Sequence, residues 1–188
     1  MNGKILWLLV LCPLALAGPD DPLAHGLGSV LRAIPGAGWS IEEGVLAPER
    51  SEDHGYVVTT ARYADVEIAF EFYPEAGTNS GVFARCQESE DINPVDCYEF
   101  NIWDAHPNQQ YRTGAVVAIA PPVAIVDTED KWNTMRVRVE GHRLRVWVND
   151  TLTNDFEHDK LSDGFIAFQY GGANGMVRFR NIRIDELP

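Results

Sequence analysis

The most regular alternation in the chain sets Val66, Ile68, Phe70 and Phe72 against Glu67, Ala69, Glu71 and Tyr73. A period of two with one apolar face predicts a half-buried β-strand, and Pro74, which cannot donate to a ladder, ends it. Shorter runs of the same kind predict strands over 44–46, 56–60, 81–86, 97–106, 114–119, 132–140, 143–148, 164–170 and 176–184. Gly141-His142 and Asn149-Asp150 are hairpin signals, and Gly171 to Gly175 separates the last two strands. Residues 27–34 read as a short helical turn, and no amphipathic helix or internal repeat follows it. About ten short strands at near-regular spacing predict an all-β jelly-roll sandwich of two antiparallel sheets, one of them concave.

One strand carries more chemistry than packing needs. In 97–106, Tyr98, Phe100 and Ile102 form an apolar face, while Glu99, Asn101 and Trp103 form the other, followed by Asp104 and His106. Aromatic faces cover the apolar side of a sugar ring, amides and carboxylates hold its hydroxyls, and paired acids can move protons. Glu99 and Asp104 are five apart, so a regular strand puts them on opposite faces; a bulge, or Asp104 lying in the following loop, is needed to bring them together. The spacing E-x-N-x-x-D resembles the E-x-D-x-x-E of family-16 glucanases, with Asn101 in place of an acid and Asp104 in place of a glutamate. Arg85 is a candidate partner of Glu99, as oxyanion stabiliser or as salt bridge. Asn79, at a turn, and Gln169, in a late strand, can supply amides to a ligand. His106 is a base, a metal ligand or a solvated loop residue. No two histidines have metal-ligand spacing, so no metal site or cofactor is signalled, although a divalent ion stays open.

The 188 residues suffice for one domain with a sizeable core, and the formal net charge of −13 argues against nucleic acid and anionic membranes as partners. Residues 1–17 read as a signal peptide: Lys4, an apolar run, then Ala15-Leu16-Ala17 as a cleavage site. The run is too short for a good membrane span. The expected organisation is therefore signal peptide 1–17, spacer 18–37 and one β-sandwich domain 38–188, in an exported protein that is periplasmic or secreted. Cleavage leaves Cys86 and Cys97, an even pair in an exported chain, as a candidate disulfide across an acidic loop.

Several stretches together resemble the 3-keto-disaccharide hydrolase family. They are Gly38-Trp39, Gly44-Val45-Leu46, Asn79-Ser80-Gly81-Val82-Phe83-Ala84-Arg85, Tyr98-Glu99 through Asp104, Thr113-Gly114-Ala115, Trp132-Asn133, Gly164 through Gln169 and Phe179-Arg180-Asn181-Ile182. The resemblance implies a concanavalin-like jelly roll and cleavage of 3-keto-glycosides. A ketone acidifies the neighbouring C–H, a base removes that proton, the aglycone leaves by β-elimination, and water adds to the enone. On this reading Glu99 is base or sugar anchor, Asp104 or His106 the acid, and Arg85 or Asn79 the oxyanion donor. Asn101, Trp103 and Gln169 hold the saccharide. The alternatives are a non-catalytic carbohydrate-binding module on the same sheet, a family-16-like glucanase, or a laminin-G-like interaction domain. A retaining glucanase would require carboxyls about 5–5.5 Å apart.

Overall fold

The computed structural model describes residues 21–172 and 174–188, so the expected signal peptide and its cleavage site lie outside the described residues. The described residues form twelve strands: β1 (Leu31–Ala33), β2 (Trp39–Glu42), β3 (Val45–Pro48), β4 (Gly55–Thr59), β5 (Val66–Pro74), β6 (Ser80–Cys86), β7 (Tyr98–Ile102), β8 (Asn133–Glu140), β9 (Arg143–Val148), β10 (Thr151–Glu157), β11 (Phe165–Tyr170) and β12 (Val177–Glu186). They form a five-stranded sheet, β1-β4-β11-β6-β7, and a seven-stranded sheet, β10-β9-β8-β5-β12-β3-β2, with antiparallel pairing. This is the all-β sandwich that the alternation predicts.

The core lies between the sheets. Val66, Ile68, Phe70 and Phe72 of β5 face Val82, Tyr98, Phe100, Ile166 and Phe168 of the smaller sheet in one cluster. Phe70, Phe168 and Phe179 meet there at centroid distances of 5.2–5.8 Å, the edge-to-face contact that aromatic quadrupoles favour. Turn chemistry fixes the hairpins. Asn149 and Asp150 both take left-handed φ, 47° and 61°, as a type I′ turn between β9 and β10 requires, and Glu43-Gly44 does the same between β2 and β3.

Three local expectations are corrected. Residues 27–34 do not form a helical turn: Leu31–Ala33 pairs with β4, Leu31 is fully buried, and the 3-10 turn lies earlier, at Pro22–His25. A three-residue strand between glycines is too short to show a period. Residues 114–119 make only isolated bridges, Val116 to Phe100 and to Ala120, because left-handed φ at Gly114 (87°) and Ala118 (60°) breaks the extended path. Residues 151–157, unassigned from the pattern, form edge strand β10, whose alternation is interrupted by a register shift between Leu152 and Asn154.

Candidate functional site

The five-stranded sheet is covered on both faces along part of its width. Ile34, Val58, Phe83, Ile92, Ala167 and the Cys86–Cys97 disulfide form a second apolar cluster, with Tyr56 and Phe165 packed against it. Because Val57, Val82, Ile166 and Phe168 belong to the main core, their alternating neighbours Val58, Phe83 and Ala167 occupy the opposite face. The roof over that face is the loop that the disulfide closes. It leaves β6 at one side of the sheet and reaches β1 at the other edge, where the Arg32 guanidinium donates to Ser89 Oγ at 2.7 Å and to its carbonyl at 3.1 Å. β6 is therefore buried at every position.

Glu99 stands at the margin of this roof, paired across the ladder with Phe83. It is 9 % exposed, and its carboxyl has no hydrogen bond or ion pair among the described residues. Burial alone pushes its carboxyl from the ordinary 4.5 up to about 7. Gly81 lies beneath it: a Cβ there would be in ordinary contact with Glu99 Oε1 at 3.6 Å, so the carboxyl leans over a backbone floor.

The register continues the site across the sheet. Asn101 pairs with Gly81, Gly81 with Gln169, and Gln169 with Tyr56. Gln169 Nε2 donates to the Tyr56 hydroxyl oxygen at 3.2 Å, which leaves the phenol's own hydrogen free, while Gln169 Oε1 is buried without a partner. Burial raises the Tyr56 pKa, the Gln169 hydrogen bond lowers it, and the negative charges of Glu99 and Asp91 raise it further. The phenol is thus a neutral donor beside a poised carboxyl. Tyr56 carries no sequence signal beyond its place in a strand, and only the strand order reveals that it neighbours Gln169.

The predicted residues fall into two sets. Glu99, Gln169, Trp103 and Asn79 share the outer face of this sheet. Asn79 is half-buried against Gly171, just past Gln169. Trp103 follows β7, and its indole meets the His106 ring edge-on at 4.4 Å, with Tyr111 also edge-on to that ring at 5.5 Å. His106 Nδ1 accepts from the Asn108 backbone N–H at 2.9 Å, so in the neutral ring Nε2 carries the proton.

The remaining polar residues are spent elsewhere. Asn101 donates to the Tyr111 carbonyl and accepts from the Ile102 N–H at 3.1 Å, which fastens the loop after β7. β7 keeps a regular register with β6, and Asp104 lies beyond its end. Its carboxylate accepts from the Thr128 N–H, from Thr128 Oγ1 at 3.0 Å and from the Glu129 N–H at 3.3 Å, with Arg112 at 3.8 Å. The expected pairing of Arg85 with Glu99 is corrected. Between Phe165 and Ala167 the β11 register shifts against β6, and Arg85 takes a φ of 55°. This bulge turns the side chain to the carbonyls of Ala64 (3.0 Å), Gly141 (2.8 Å) and Leu161 (2.7 Å) and to Asp65 (3.0 Å).

The outer face of the larger sheet also bears aromatic rings, but guanidinium groups cover them: Arg136 lies 3.7 Å over Trp147 and Arg180 3.9 Å over Trp132. A sugar would have to displace both. Among the described residues no group of three or more His, Cys, Asp or Glu side chains is placed to hold a metal ion, and no helix is long and apolar enough to cross a membrane.

A jelly-roll sandwich with a polar, partly roofed sheet face defines the class of carbohydrate-active jelly rolls. The chain belongs to the 3-keto-alpha-glucoside-1,2-lyase-like domain family, whose model matches residues 29–185. Among solved structures it is similar to two putative glycosyl hydrolases from Parabacteroides distasonis ATCC 8503. One has 25 % identity and a TM-score of 0.70 over 79 % of this chain and 90 % of that one. The other has 20 % identity and a TM-score of 0.69 over 80 % and 84 %. The carbohydrate-binding module CBM66 from Bacillus subtilis shares the fold at 13 % identity and a TM-score of 0.65, covering 84 % of this chain and 96 % of that one. No curated protein sequence matches the chain.

Proposed function

We propose that this protein cleaves the glycosidic bond of 3-keto-glycosides by proton abstraction and β-elimination, followed by hydration. The observation that carries the reading is the unpartnered Glu99 carboxyl, held near 7 by burial, beside a neutral Tyr56 hydroxyl with a free hydrogen. A general base works best with a pKa near the working pH. Glu99 takes the proton from the carbon between the ketone and the anomeric carbon. The C–H electron pair moves to the ketone oxygen, where the Tyr56 O–H stabilises the enolate. Collapse of the enolate expels the aglycone and forms the enone. Water then adds at the anomeric carbon and the α-carbon is reprotonated, giving the free keto sugar.

The remaining contacts follow from the acceptors and rings. Gln169 Oε1 accepts a sugar hydroxyl hydrogen, which satisfies a buried atom that is otherwise unpaired. The four-residue step from Glu99 to Trp103 spans about 13 Å at strand rise, so a second ring reaches the Trp103 platform. There the neutral His106 Nε2–H donates a hydrogen bond to a hydroxyl of that ring, while the departing oxygen takes its proton from water. Asp104 has no such freedom, because both of its oxygens accept hydrogen bonds. The disulfide supports export to an oxidising compartment.

The test is nitrophenol release from p-nitrophenyl 3-keto-α-D-glucopyranoside and from its unoxidised parent, by wild type and Glu99→Gln. Release from the keto form alone, lost in the variant, is the expected result. Full activity of Glu99→Gln refutes the scheme. Saccharide binding without turnover, retained in Glu99→Gln, assigns the protein to the binding modules that share its fold.

A further inference from the structure

We infer that Asp91, held over the site by the disulfide-closed loop, is a specificity-determining residue that contacts the saccharide from the side opposite Glu99. The inference rests on the proposed saccharide-cleaving reading and adds a residue that the strand motif does not contain.

Two neighbours in sequence bracket Asp91. On one side Glu90 lies 3.9 Å from the Arg32 guanidinium, next to Ser89, which that same guanidinium binds. On the other side Ile92, 6 % exposed, is inserted into the cluster against which Tyr56 packs. The loop is closed at its base by Cys86–Cys97 and by the Gln87 N–H to Asp96 carbonyl hydrogen bond of 3.1 Å. Asp91 is thus fixed at the edge of the roof above Tyr56, close enough for its charge to act on the phenol together with that of Glu99.

Two further observations point to a ligand between roof and sheet. The Asp91 carboxylate is exposed and has no hydrogen bond or ion pair among the described residues. Below it, Glu99 is more than nine-tenths buried and unpartnered, and Gln169 Oε1 is buried and unpaired. Two unpaired acceptors, the Glu99 carboxyl and Gln169 Oε1, thus lie with the Tyr56 O–H on the sheet face below the loop that carries the Asp91 carboxylate. A neutral saccharide presents several hydroxyl hydrogens and one carbonyl oxygen, which matches this set. An anionic sugar would set its charge against two carboxylates.

The test is the kinetics of p-nitrophenyl 3-keto-α-D-glucopyranoside cleavage by wild type, Asp91→Ala, Asp91→Asn, Asp91→Glu and Cys86→Ser/Cys97→Ser. A hydrogen bond to a charged group predicts a KM raised about tenfold or more in Asp91→Ala and Asp91→Asn, with kcat within about threefold of wild type. Asp91→Glu should recover part of the loss, and the double cysteine variant should raise KM as well, since it keeps Asp91 but frees its loop. If the double variant does not fold, the three Asp91 variants, which change an exposed side chain, decide alone. Cleavage by wild type with an unchanged KM in Asp91→Ala overturns the assignment of Asp91 while leaving the proposed function standing. Absence of cleavage by wild type overturns the functional reading and the assignment with it.

Discussion

Replacing Glu99 by Gln should make the protein more stable, and only at neutral and alkaline pH. Gln has the shape of a protonated Glu, and Glu99 has no protein partner to lose. Its carboxyl is raised from 4.5 to about 7 because burial strips the charged form of water. In the unfolded chain it titrates near 4.5. Between these values the folded state binds the extra proton, so stability falls as pH rises from about 4.5 to about 7 and then levels off. The gap between 4.5 and about 7 amounts to about 3 kcal/mol of burial cost at pH 8, and to almost nothing at pH 4. For a chain of this size that is roughly 6–12 °C in Tm. The assay is thermal and urea unfolding of both proteins from pH 4 to pH 9. Glu99→Gln should match wild type at pH 4 and exceed it by about 3 kcal/mol at pH 8. A difference that stays flat with pH, or a variant that is weaker at pH 8, would refute a desolvated Glu99.

Further outcomes follow from the same geometry. As a base, Glu99 must be ionised, so kcat/KM for the keto-glycoside should rise tenfold per pH unit below about 7 and level off above it, in a pH–rate profile. Gly81→Val places a side chain against the Glu99 carboxyl where a Cβ is already 3.6 Å away, and should cut kcat/KM by about tenfold or more with a Tm within a few degrees of wild type. Asp104→Ala removes the acceptor of two backbone N–H groups and the Thr128 hydroxyl, and should cost about 2–4 kcal/mol in urea unfolding. Arg85→Met orphans three carbonyls and leaves Asp65 with only the Gly141 N–H, and should lower stability by about 3 kcal/mol while leaving the pH–rate midpoint unmoved.

The sandwich was legible because its long strands keep one face dry. β5 and β8 alternate cleanly, and the turn residues Asn149 and Asp150 carry the conformation their sequence suggests. Glu99, Trp103 and Gln169 stood out as polar or aromatic groups on strands that had no packing use for them. Arg85 did not follow its pattern, since one extra residue in β6 reverses the direction of a side chain and a bulge leaves no mark on hydrophobic spacing. Asp104 and Asn101 were misleading for another reason. Buried backbone N–H and carbonyl groups at the end of a strand need partners, and short polar side chains serve that need as readily as they serve a ligand. Tyr56 and Asp91 were invisible because their relevance is purely one of strand order: β4 lies two strands from β6, and the loop that carries Asp91 crosses the intervening strands.

The roof also explains how the fold tolerates the site it encloses. An ionised Glu99 costs about 3 kcal/mol, a sizeable part of the stability of a typical domain. The same loop that removes water from Glu99 contributes in the opposite direction. Closing the 11-residue separation between Cys86 and Cys97 restricts the unfolded chain by an amount worth roughly 3 kcal/mol in the chain-entropy account. The apolar contacts of Ile92 and Phe83 beneath it add burial on a sheet face that would otherwise be wet. Stability and reactivity are therefore coupled through one segment. Cutting the disulfide should weaken the fold and, by letting water reach Glu99, lower the pKa that makes it a useful base, so the alkaline shift of the pH–rate midpoint and the stability should be lost together.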